Sequence, residues 1–371
     1  MNAERLHALV IALSHELSSA NTARKLQELV NNLQNTINQP QQPAHQQGLS
    51  KSIKAINDEL TDAHSDSFSP GWRQILQEIG GEQYFGNSLS AQINKIFAQN
   101  QITPSVALTE LQELNNGLQA FKNALDQAAS AFKHFDISYE KLGPGKCEIG
   151  ILIPRAAVDN NLIDFAKELE DLGFILNTLS EVVTGKKDAL AINTISSSDL
   201  LVYLHANLPY AACVAVCVER IVALYKQLLE IRKLHNDLHK QGVPQTQTAG
   251  IEQYANELME QGIEKIIQEI VSKYHKKGDK GRNNELTNAL RISLNKIANR
   301  IDIGFNIEVR VEPPAASKAD NESQVAIDAI QSATHGMQYM KLEGKPILKL
   351  PESTAKPRKK PDTSGAEPNP Q

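Results

Sequence analysis

Residues 304–311 read Gly-Phe-Asn-Ile-Glu-Val-Arg-Val, and apolar and polar side chains alternate without a break from Phe305 to Val311. Successive side chains of a strand point to opposite faces. The pattern therefore puts Phe305, Ile307, Val309 and Val311 on one face and Asn306, Glu308 and Arg310 on the other. Pro313–Pro314 end the run. A half-buried strand needs a neighbour, and upstream Cys147–Ile153 offers a short apolar run closed by Pro154. We expect the later strand to return to the sheet begun at Cys147.

Between them, Asp159 or Asn160 can cap a helix with Leu162, Phe165, Leu169 and Leu172 on its apolar face. Gly173 suits the left-handed residue that ends a helix. Phe174–Val183 then reads as a strand, Thr184–Lys187 as a turn, Ala189–Ile195 as a strand, Ser196–Asp199 as a turn and Leu200–His205 as a strand. This order, β-α-β-β-β, predicts at least one parallel pair across the crossover helix.

The helical period returns from Tyr210. Val214, Cys217, Ile221, Leu224, Leu228, Ile231, His235 and Leu238 alternate spacings of three and four, the pattern of a seam between packed helices. Gly242-Val243-Pro244 ends it. Two further helices follow, over Ile251–Tyr274 and Asn284–Ile301.

Gly143-Pro144-Gly145 is the boundary on the other side. Before it the chain reads as helix: two pieces over 1–38 separated near Asn21–Thr22, a piece over Ser50–Leu60, short ones at Arg73–Ile79 and Leu89–Ala98, and a long one from Pro104 to about Phe135. The fold class expected is α+β and helix-rich: an N-terminal helical hairpin or coiled-coil-like region, a small mixed sheet, three long helices and a returning strand. The organisation expected is N-terminal helices (1–38), a Gln/Pro-rich linker (39–49), a helical region (50–142), an α/β domain with a long helical hairpin (143–312), a partly ordered extension (313–350) and a disordered tail (351–371). Within the extension, Pro346–Leu350 is expected to pair at a sheet edge.

Composition narrows the classes of function. A net charge of −5 argues against wrapping nucleic acid by bulk electrostatics, so any such contact would be local. Three cysteines, Cys147, Cys213 and Cys217, are too few for a disulfide framework and point to a reducing, cytoplasmic setting. The run from Leu200 to Val218 is broken by His205, Asn207 and Pro209, so we expect a buried strand and helix rather than a membrane span. The N-terminus lacks the pattern of a secretory signal.

Candidate chemistry is sparse. Asp302 stands ahead of the strand bearing Glu308 and Arg310. A carboxylate before Glu-x-Lys can hold a divalent metal in nucleases, but Arg310 replaces the Lys and cannot readily give up its proton. His235 and His239 share one helix face, but the residue after the first histidine is Asn236, where a zincin needs Glu. Lys276, Lys277, Lys280 and Arg282 make a basic loop able to hold a phosphate. Cys213 and Cys217 lie in an apolar run and read as core. Gly145-Lys146-Cys147 and Gly185-Lys186-Lys187 lack the remaining residues of a P-loop. No cofactor is expected. The reading is a non-enzymatic interaction or scaffold protein, pairing with itself or another protein through amphipathic helices. The alternatives are a nucleic-acid-associated factor using the basic loop and a metal-dependent hydrolase using Asp302 and Glu308.

Overall fold

Helix dominates the computed structural model, which describes residues 3–61, 63–139, 142–196, 200–274, 280–312, 320–337, 339–340 and 342–353. In chain order come α1 (Ala3–Ser19), α2 (Thr22–Asn38), α3 (Pro43–Leu60), α4 (Pro70–Glu78), α5 (Gly86–Gln99) and α6 (Pro104–His134). They are followed by β1 (Cys147–Ile153), α7 (Leu162–Thr184), β2 (Ile192–Ser196), β3 (Leu200–Ala206), α8 (Leu208–Lys240), α9 (Gln245–Tyr274), α10 (Lys280–Asp302), β4 (Asn306–Val311) and α11 (Asn321–Gly336). The chain forms two compact units. The first holds Met1–Phe165, Ala189–Glu219 and Gly304–Leu342; the second holds Ala166–Asp188, Arg220–Ile303 and Glu343–Gln371.

In the first unit, α1 to α6 share one hydrophobic core. Its centre is Leu9, Leu13, Leu26, Leu29, Leu89, Ile93, Leu111 and Leu118, all fully buried. Asn21 takes a left-handed conformation and turns the chain from α1 into α2. The Gln-rich stretch is shorter than its composition predicts, because Pro43 opens α3, a position where proline's missing N–H costs nothing.

The sheet has the order β2-β3-β1-β4 and is antiparallel throughout. The returning strand pairs with β1 as expected, Glu148 opposite Arg310 and Gly150 opposite Glu308. Two expectations fail together. Phe174–Val183 is the second half of α7, not a strand, and Gly173 sits inside that helix with open space where a side chain would be. A short apolar run fits helix or strand equally well on periodicity. With one strand fewer, β1 and β3 pair antiparallel and no parallel pair remains. Pro346–Leu350 joins no strand either.

One sheet face is apolar, with Ile149, Ile151, Val202 and Val309 buried. The first turns of α8 are also buried, at Tyr210–Ala215, Cys217 and Val218, although α8 is by length and composition apolar enough to cross a membrane.

Candidate functional site

The other sheet face is polar and buried. Glu148, Tyr203 and Glu308 are at most 3 % exposed. Antiparallel register aligns Glu148 with Arg310, and Gly150 with both Tyr203 and Glu308. A bulge in β2 between Ile192 and Thr194 frees Asn193, whose Nδ2 donates to Glu148 Oε1 at 2.6 Å. Across this face lie Arg5 of α1 and the first turn of α4. Arg5 Nη2 is 2.9 Å from Glu148 Oε1, and its guanidinium stacks 3.0 Å from the Tyr203 ring centroid. Arg310 Nη2 reaches Glu148 Oε2 at 3.1 Å, with its guanidinium 5.0 Å from the Trp72 ring.

Glu308 faces the positive end of α4. Its Oε2 accepts from the Gly71 backbone N–H at 2.8 Å, and Oε1 accepts from the Tyr203 hydroxyl at 3.3 Å. Burial pushes the Tyr203 and Tyr339 hydroxyls well up, and the Glu308 charge adds to both shifts. Burial also lowers Arg73. The cluster is sealed: each carboxylate has cationic or hydrogen-bonding partners, and its geometry ties the sheet to the helices above it.

A second polar centre lies in the other unit. Asp302 is fully buried. Its Oδ1 accepts from Arg232 Nη1 at 2.6 Å and from the Tyr225 hydroxyl. Its Oδ2 accepts from the backbone N–H groups of Ile347 and Leu348, both at 2.7 Å. Burial and the Asp302 charge push the Tyr225 hydroxyl up. Nearby, Glu168 and Asp171 of α7 pair with Arg300 and Lys296 of α10. Burial raises Glu168 against the pull of Arg300. Burial also raises Asp171, but Lys296 and Arg300 outweigh it and hold Asp171 low.

The candidates from the sequence fall as follows. Asp302 and Glu308 belong to different units, and both oxygens of each carboxylate accept hydrogen bonds. Arg310 is the cross-strand partner of Glu148. His235 is buried with Nε2 3.3 Å from Glu252 Oε1, and its ring centroid is 6.1 Å from that of His239. Among the described residues no group of three His, Cys, Asp or Glu side chains is arranged to hold a metal ion. Lys276 and Lys277 lie outside the described residues, as does the Lys280 side chain. Arg282 pairs with Glu181 and Glu285. Of the seam, Val214, Cys217, Ile221, Leu228 and His235 are buried within the chain, and Leu224, Ile231 and Leu238 are half-buried. The residues missed by sequence are Arg5, Glu148, Tyr203, Arg232 and the asparagines of α8 to α10.

A cavity of about 720 Å³ opens between α9 and α10, walled by Glu257, Glu260, Glu264 and Arg291, with Pro351 at one side. Arg291 holds Glu264 low by hydrogen bond and charge.

Comparison of the chain with protein-family models, curated proteins and solved structures finds no match.

Proposed function

We propose that this is a non-enzymatic interaction protein that self-associates through the outer edge of β2. The observation that carries the reading is the state of that strand. β2 is terminal in the sheet, with β3 its one strand neighbour among the described residues. Its Ile192 and Ile195 are 60 % and 50 % exposed. The bulge at Asn193 puts both isoleucines on the apolar sheet face, opposite Leu204 and Val202. Two large apolar side chains exposed side by side on a terminal strand are a surface for another molecule to cover. A second copy offers the same two isoleucines, and a two-fold axis brings the two strands together so that each covers the other's.

The charged residues support the same reading from the other side. The candidate carboxylates Asp302 and Glu308 are buried and held by internal hydrogen bonds, whereas the exposed side chains of Ile192 and Ile195 on β2 are apolar. The helical seam offers less to a partner, because the chain itself covers most of it.

Light scattering across a concentration series tests the proposal. Wild type should dimerise, and Ile192→Lys with Ile195→Lys should stay monomeric with unchanged circular dichroism. A wild type that is monomeric at the highest attainable concentration overturns it.

A further inference from the structure

Residues Glu343–Pro351 run through the second unit as a segment that is itself neither helix nor strand. An extended backbone buried without a ladder must find other partners for its N–H and C=O groups. Here side chains of three helices supply them. From α8, Arg232 donates through Nε to the Glu343 carbonyl at 2.9 Å and through Nη2 to the Gly344 carbonyl at 2.8 Å. Asn236 Oδ1 accepts from Lys345 N at 2.9 Å. From α9, Asn256 Oδ1 accepts from Lys349 N at 2.7 Å. From α10, Asp302 takes the consecutive N–H groups of Ile347 and Leu348. Asn299 holds Leu350 at both its N–H (3.0 Å) and its carbonyl (3.1 Å), and Asn295 donates to the Pro351 carbonyl at 2.9 Å.

These contacts read backbone, not side chains. Selectivity comes from elsewhere. Ile347, Leu348 and Leu350 are buried, while Lys345, Pro346 and Lys349 face out. Gly344 has a left-handed φ of 75°, and a Cβ there would lie 2.2 Å from Asn236. The groove thus specifies an extended peptide of the pattern Gly-x-x-apolar-apolar-x-apolar. Emptying it would leave the buried Asp302 carboxylate without two donors and Arg232 without two carbonyls. A half-satisfied buried charge is costly, so the groove requires an occupant.

We infer that the groove of α8, α9 and α10 is a receptor for an extended peptide. In the single chain its own Glu343–Pro351 fills it, and the same segment of a second copy can take that place in trans. Exchange preserves every one of these bonds, so it is balanced in contacts and driven by concentration, as in other segment swaps.

The test uses the full chain and an isotopically labelled synthetic peptide with the sequence of residues 343–353. In hydrogen–deuterium exchange of wild type, excess peptide should displace the resident segment and speed exchange of its Ile347 and Leu348 amides. A fluorescent form of the peptide should bind the variant Ile347→Ser, Leu348→Ser, Leu350→Ser at least tenfold more tightly than wild type. Adding Asn299→Ala and Asn256→Ala to that variant should weaken binding severalfold, because those side chains hold the backbone of the segment, the Glu352 carboxylate beside it and one turn of α9. No binding to the folded triple-serine variant overturns the inference. If that variant fails to fold, wild type decides: unchanged exchange of Ile347 and Leu348 at saturating peptide overturns it equally.

Discussion

Arg5 in the first helix and Glu148 in the central strand meet 2.9 Å apart, with 3 % and 1 % of their side chains exposed. The pair joins residues far apart in sequence, and each member has a second partner: the Tyr203 ring for Arg5, and Arg310 for Glu148. Removing one member of a buried pair strands the other charge in a medium that solvates it poorly. Arg5→Ala should therefore cost about 3–5 kcal/mol of stability, and Glu148→Ala a similar amount. A double-mutant cycle with Arg5→Met and Glu148→Leu should recover much of that loss. Additive losses in chemical denaturation would show that the two residues act separately.

Gly150 lies where β1 passes beneath Tyr203. A Cβ there would come 2.5 Å from Tyr203 Cε1 and 3.0 Å from Glu308 Cγ. The ring cannot swing away, because Arg5 is stacked on it. Gly150→Ala should cost about 1–3 kcal/mol by overpacking, and Gly150→Ala with Tyr203→Leu should cost less than the two separate losses combined. A shift of the denaturation midpoint within error for Gly150→Ala would refute the close approach.

Glu16 accepts from both the backbone N–H (2.7 Å) and the hydroxyl (2.8 Å) of Ser65. Burial nonetheless raises it above its ordinary 4.5, outweighing those hydrogen bonds and His64. A carboxyl raised in the folded state binds its proton more tightly there than in the unfolded chain. Its contribution is therefore fullest below the unfolded value and falls as pH rises through the folded one. Glu16→Gln should remove that slope, so the variant should gain on wild type as pH rises from 4.5 through the raised value of the folded state. Urea denaturation at several pH values measures this, and a difference independent of pH would refute it.

Cys147, Cys213 and Cys217 are all buried, and burial pushes the Cys147 thiol up to about 12. The thiolate is the reactive form. Native protein should therefore resist iodoacetamide near neutral pH and expose all three thiols only in denaturant. Rapid labelling of Cys147 in the native state would contradict its place in the sheet.

Much of this fold is legible in the sequence. Strict alternation reveals β4, Pro104 marks the start of α6, and the long seam of α8 is plain. What fails does so for definable reasons. Phe174–Val183 scatters Asn177, Thr178, Ser180 and Glu181 among apolar residues in a way that fits neither period cleanly, and an interior glycine passes for a helix end. Asn295, Asn299 and Asp302 lie at spacings of four and three on one face of α10, as do Arg232 and Asn236 on α8. That polar stripe is a visible signal, but a stripe names no occupant, and Pro346–Leu350 by its own pattern passes for an edge strand. Arg5 was hidden differently: in an N-terminal helix, nothing local tells a buried arginine from a solvated one.

The central strand β1 has β3 on one side and β4 on the other, and β4 emerges from synthesis only after α8, α9 and α10. Until then one flank of Cys147–Ile153 has no partner, and the apolar Ile149, Ile151 and Ile153 stand at an incomplete edge. Sequence-distant closures of this kind are slow and leave sticky intermediates. Nascent chains stalled before residue 306 should accordingly be the form most dependent on chaperones and most prone to clump, and the hazard should lift once the last strand docks.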